Sequence, residues 1–108
     1  MSKGKVVLVS FPFTDLAGQK VRPALVLSAQ KKGEDCVVVF ISSHSSNKEG
    51  LFEVKVAPST QNGLKRDSMI RVDKIATLQK KIVLGELGTL ERTTLSLVDK
   101  KLRALFQI

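Results

Sequence analysis

With 108 residues, 43% of them hydrophobic and 26% charged, the chain has the size and balance of one globular domain with one core, which excludes intrinsic disorder and two ordinary domains. Lys and Arg number 18 against 10 Asp and Glu, and the net charge of +8 points to a polyanionic partner, because summed positive potential attracts phosphate backbones whatever their sequence. The single cysteine, Cys36, rules out an intrachain disulfide.

The N-terminal stretch Met1-Ser2-Lys3-Gly4-Lys5 precedes an apolar run broken at Ser10, too short for a signal h-region or a membrane span. A reducing cytoplasm and no membrane association are therefore expected. That first apolar run, 6–11, predicts a strand, and further strands are predicted over 23–29, 35–41, 52–57, 69–72 and 82–87. Gly18, Gly33, Asn47 with Gly50, and Asn62-Gly63 punctuate the loops between them. The third run, Cys36-Val37-Val38-Val39-Phe40-Ile41, is apolar throughout and reads as buried on both faces, with Cys36 packed as a small hydrophobe. Phe52-Glu53-Val54-Lys55-Val56 alternates like a half-exposed strand. The period then changes: Leu95, Val98, Leu102 and Leu105 recur at helical spacing, predicting a helix over 92–106. Several short strands closed by one helix predict a mainly β fold, a small and strongly bent β barrel with a C-terminal α-helix, filling 1–108 as a single domain.

Motifs for phosphate loops, zinc and nucleophile elbows are missing, and the lone His44 excludes a two-histidine metal site. In Ser42-Ser43-His44-Ser45-Ser46, adjacent side chains on an extended chain point to opposite faces, which favours a polar loop over a Ser-His nucleophile pair. Two polar clusters remain. In Gln19-Lys20-Val21-Arg22-Pro23, the proline restricts Arg22 to an extended conformation at a strand entrance, where its planar fork of donors suits a phosphate. In Gly63-Leu64-Lys65-Arg66-Asp67-Ser68-Met69-Ile70-Arg71-Val72-Asp73, strand alternation puts Arg71 and Asp73 on one face, as a possible cationic stabiliser and base. For both clusters the residues alone favour the plainer reading, a strand-edge ion pair or a solvated basic rim.

The segments Gly4–Pro12, Lys20–Ser28, Gly63–Ser68 and Ile70–Asp73, in that order, resemble the MazF/PemK (Kid) toxins of type II toxin–antitoxin systems. The resemblance implies an SH3-like β barrel of the CcdB/PemK type with a C-terminal helix, a homodimer, a cognate antitoxin protein as partner, and cleavage of single-stranded RNA, generally mRNA, with no metal or other cofactor. It implies attack by the RNA's own 2′-hydroxyl, leaving a 2′,3′-cyclic phosphate and a 5′-hydroxyl. Residue by residue, Arg22 matches the phosphate-binding arginine of the family's Arg-Pro motif. Arg71 and Asp73 match an acid-type stabiliser and a base, and Ser42 stands where many members carry threonine. Lys20, Ser43, His44, Lys65 and Arg66 are the expected RNA contacts. The loop 12–19 holds neither the histidine of the PemK branch nor the glutamate of other members.

Two other classes compete. A non-catalytic nucleic-acid-binding barrel fits the charge, although the five aromatic residues are all Phe, mostly within apolar runs. A CcdB-like poison of DNA gyrase shares the barrel but works through a C-terminal tryptophan, and this chain has none.

Overall fold

The structure, a computed structural model, describes residues 1–11, 20–43 and 48–108, with the Phe11 side chain outside the description. Six strands, β1 (Lys5–Phe11), β2 (Lys20–Ala29), β3 (Asp35–Ser42), β4 (Glu53–Val56), β5 (Ser68–Gln79) and β6 (Val83–Thr89), form one sheet, and α1 (Arg92–Phe106) ends the chain. Every pairing is antiparallel and the spatial order is β4-β5-β3-β2-β1-β6. This is the mainly β, barrel-like architecture with one C-terminal helix that the sequence predicts.

Valine-rich runs produce the strands because β-branched side chains are stiff at χ1 and pack well on a pleated surface. The central strands are buried on both faces, as expected for 36–41. Val39 and Ile41 join one apolar cluster, whereas Cys36 and Val38 join another on the opposite side. The first cluster also gathers Val6, Leu25, Val54, Ile70 and Val72 from four other strands and is covered by Val98, Leu95 and Leu102 of α1. Val98 is fully buried, and removing such a valine from water stabilises the fold by about 2 kcal/mol. Burial also pushes the Cys36 thiol above its ordinary pKa, as befits a packing residue.

The sheet's outer strands, β4 and β6, do not pair with each other, and the loop 57–67 lies between them. Thr89 N–H donates to Gln61 C=O at 2.8 Å, and a Cβ at Gly63 would fall 2.2 Å from Leu87 O. The loop is fixed by Asn62, read from sequence as mere turn punctuation but 0% exposed. Its Oδ1 accepts from Ser59 N–H (3.1 Å) and Leu64 N–H (2.9 Å), and its Nδ2 donates to Ala57 C=O and Glu91 Oε1, both at 3.0 Å. Ser59 Oγ donates to the second oxygen of Glu91 at 2.6 Å. Glu91 stands at the start of α1, so one polar knot joins the closing loop to the helix.

Three strand boundaries depart from the sequence reading by more than one residue. β2 begins at Lys20, so Arg22-Pro23 lies inside the strand and not at its entrance; Arg22 faces Val9 and Pro23 faces Leu8 on β1. On its other side β2 has no β3 partner before Ala24, and such an unpaired edge is where a residue lacking N–H is tolerated. β5 runs seven residues beyond the predicted 69–72, to Gln79. Asp73-Lys74 interrupts its apolar pattern because the strand bulges there: Arg71 pairs with Phe40 and Ile75 with Val39, leaving 72–74 without β3 partners. β6 spans Val83–Thr89 where 82–87 is predicted. Among the described residues, no helix is long and apolar enough to cross a membrane.

Candidate functional site

The bulge and the unpaired edge are close neighbours in the sheet. β2 and β3 pair only as far as Ala24 and Phe40; beyond that point β2 continues against β1 alone and the end of β3 continues against β5 alone. The separation of the two strands opens a cleft of about 600 Å³, lined by Arg22, Phe40, Ile41, Ser42, Ser43, Arg71, Lys74 and Ile75. Its wall is apolar at Phe40, Ile41 and Ile75, and the polar groups among its described lining residues are three cations and two hydroxyls. The described lining contains no carboxylate.

Four sequence-predicted site residues therefore meet: Arg22 from β2, Ser42 at the end of β3, Ser43 just beyond it and Arg71 from β5. Arg22 and Ser43 are exposed, whereas Ser42 and Arg71 are half-buried. Asp73 is not among the lining residues; it is exposed within the bulge. The alternation that places Arg71 and Asp73 together holds only in a regular strand, and the bulge removes that regularity. Lys20 is exposed at the start of β2, and Lys65 and Arg66 are exposed on the closing loop; none of the three lines the cleft. His44 falls outside the described residues.

The carboxylate beside Arg71 comes from another strand. Glu53 of β4 sits directly across from Arg71 in the sheet register, and its Oε2 lies 3.0 Å from Arg71 Nε. By distance this is an ion pair, but the buried Nε–H is not aligned on the oxygen as a hydrogen bond, so charge attraction carries the contact. The other oxygen, Oε1, accepts the Gly50 N–H at 2.8 Å. Glu53 thus ties the Arg71 guanidinium to the turn before β4.

Sequence reasoning missed Lys74 and Phe40 as lining residues. Lys74 stands three residues after Arg71, a spacing that points away from it in a regular strand, and only the bulge brings it round. Phe40 lies in the run read as core, and it loses cover where β2 leaves β3. Among the described residues, no three His, Cys, Asp or Glu side chains are grouped so as to hold a metal ion.

The profile of the family described as "PemK-like, MazF-like toxin of type II toxin-antitoxin system" matches residues 2–106. The chain belongs to this PemK/MazF toxin family. The resemblance carried by the Arg-Pro and Arg-x-Asp segments is thereby borne out. No curated protein sequence matches the chain. Solved structures share the PemK/MazF fold across nearly the whole chain. A MazE-MazF structure from Deinococcus radiodurans has a TM-score of 0.79 at 24% identity, covering 100% of this chain and 97% of the other. An endoribonuclease in complex with its cognate antitoxin, from a mycobacterial species, has a TM-score of 0.79 at 19% identity, covering 100% and 96%. The Mycobacterium tuberculosis toxin MazF-mt6 has 0.76 at 17%, covering 96% and 97%. At these identities the likeness concerns the fold, and the PemK/MazF site of this chain rests on its own residues.

Proposed function

We propose that this PemK/MazF toxin is an endoribonuclease that cuts single-stranded RNA without a metal ion and is held inactive by a cognate antitoxin. The supporting observation is the convergence of Arg22, Ser42 and Arg71, contributed by three different strands, on one cleft. In the proposed reaction the 2′-oxygen attacks the adjacent phosphorus, the bond from phosphorus to the 5′-oxygen breaks, and a 2′,3′-cyclic phosphate and a 5′-hydroxyl result. Arg22 and Arg71 stabilise the charge that grows on the equatorial oxygens, and Ser42 donates a hydrogen bond to the phosphate. A guanidinium keeps its proton, so Arg71 acts as a stabiliser and the leaving oxygen takes its proton from water. Asp73, the carboxylate in the bulge two residues from Arg71, is the proposed base for the 2′-hydroxyl proton. The cationic surface draws in the strand, with Lys20, Ser43, His44, Lys65 and Arg66 as contacts, and the toxin acts as a homodimer in the cytoplasm.

A second reading is favoured by the absence of any carboxylate in the described lining: the cleft binds RNA and does not cut it. One experiment separates the two. The purified protein is incubated with mixed-sequence single-stranded RNA in EDTA, and the ends of the products are analysed. Fragments bearing cyclic phosphate support the nuclease, whereas RNA that binds but stays intact after long incubation leaves only the binding module.

A further inference from the structure

The three cations of the cleft are not equivalent. Arg71 is paired with Glu53, so its charge is largely compensated and its value to a ligand lies in oriented donors. Arg22 and Lys74 form no ion pair among the described residues, and both are exposed side chains in the cleft wall. Among the described residues the cleft therefore presents two uncompensated positive charges. A phosphodiester carries one negative charge before it reacts, so in the bound complex a single phosphate leaves one of them unused.

Geometry assigns them different tasks. Arg22 and Arg71 have planar forks suited to the oxygens of one phosphate, whereas a lysine ammonium is a mobile point charge that neutralises without fixing orientation. Lys74 enters by way of the bulge, beside Ile75 and across from the Phe40 wall. A cleft of about 600 Å³ lies in the range of whole small-molecule sites and offers an apolar wall against which a nucleoside can lie. We infer that Lys74 holds a second phosphate, flanking the one at which the reaction occurs, so that the cleft grips a nucleoside between two consecutive phosphates of a single strand. This deepens the proposed function and rests on its reading of the cleft as an RNA site.

The test uses a mixed-sequence oligonucleotide that is 2′-O-methylated throughout, which has no free 2′-hydroxyl and stays intact. Its affinity is measured over a salt series for the wild type, Lys74→Ala, Lys74→Arg and Lys31→Ala. Each phosphate contact on a single strand contributes about 0.7 to the slope of log K against log salt. Lys74→Ala is expected to make the slope shallower by about 0.7, Lys74→Arg to restore it, and Lys31→Ala, in the turn at the opposite end of the β2-β3 hairpin, to leave it unchanged. On cleavable RNA, Lys74→Ala raises KM several-fold with kcat kept within about twofold. An unchanged slope in Lys74→Ala, a fall in kcat at constant KM, or no binding of the oligonucleotide by the wild type overturns the inference. Binding that shows the slope change while RNA stays uncut leaves the second phosphate contact standing and removes the nuclease reading alone.

Discussion

Glu53 Oε2 stands 3.0 Å from the Nε of Arg71, across the β4-β5 ladder, and anchors a cationic cleft side chain that is half-buried. The contact sets the direction of the guanidinium without using its two terminal nitrogens, which remain available to a phosphate. Both side chains keep some solvent access, at 36% and 23%, so the pair's share of fold stability is small, about 0–1 kcal/mol. Its larger effect is on position. Glu53→Gln is expected to lower single-turnover cleavage about tenfold while moving the urea midpoint little. A large drop in stability with unimpaired turnover of the remaining folded protein would show that Glu53 serves the fold and not the site.

In the proposed reaction Arg22 and Arg71 supply donors to the charge that develops at the phosphate, and one such donor is worth about 10²–10³ in rate. Arg22→Ala and Arg71→Ala are each expected to reduce kcat by roughly that factor and leave the circular dichroism spectrum unchanged, since Arg22 is exposed and Arg71 half-buried. Asp73→Asn is expected to cause a comparable loss. Full cleavage by Asp73→Asn would transfer the base to another group while leaving the cleft assignment intact.

The Asn62 knot makes a separable prediction about stability. Truncation in Asn62→Ala strands the Ser59 and Leu64 N–H groups, the Ala57 carbonyl and one oxygen of Glu91. Buried groups left without partners destabilise by about 1–3 kcal/mol each, reduced by whatever water enters, so a total loss of about 3 kcal/mol is expected from urea unfolding. Gly88→Ala attacks the same closure sterically, because its Cβ would fall 2.2 Å from Gln61 O; it is expected to yield little soluble protein. A wild-type-like midpoint in Asn62→Ala would mean that the loop does not close the barrel energetically.

Glu91 also gives the fold a pH dependence. The Ser59 hydroxyl hydrogen bond, acting against partial burial and helped by Asn62 and by Glu91's own backbone N–H, holds its carboxyl below the usual glutamate pKa. A carboxylate with a lowered folded pKa contributes stability that is fully present above the unfolded value, about 4.3, and is lost as pH falls through the folded value. Chemical denaturation between pH 3 and 6 is expected to show wild-type stability falling at the acid end, and Glu91→Gln to flatten that fall. Parallel curves would remove Glu91 as its source.

The extent to which this molecule can be read from its sequence follows from the range of the interactions involved. Repeats of period two and 3.6 act locally, so the valine runs mark the strands and Leu95, Val98 and Leu102 mark the core face of α1. Arg22 and Arg71 stand in short stretches of distinctive residues and Ser42 follows from the family resemblance, so these three members of the cleft wall are legible in the sequence. The partner of Arg71 is not, because Glu53 reaches it through pairing of distant segments, which no local spacing encodes. Lys74 was missed for a related reason: a bulge is a break in period, and its residues read as a loop. Asn62 illustrates the same limit, since an Asn-Gly pair looks like an exposed turn until a second strand edge packs over it.

Ser42 offers the last test, because it relates a side chain's stiffness to its use. It ends β3, pairs with Met69 on β5 and lines the cleft half-buried. Serine keeps a hydroxyl but rotates freely about χ1, whereas threonine at a strand position is restricted by its branch and favoured by the pleat. If the hydroxyl donates to the reacting phosphate, holding it in one rotamer removes an ordering cost from the transition state. Ser42→Thr is then expected to raise kcat several-fold and Ser42→Ala to lower it by about tenfold or more. Equal rates for the serine, threonine and alanine forms, with binding unaltered, would place the hydroxyl outside the reaction and leave Arg22 and Arg71 as the donors argued for the reacting phosphate.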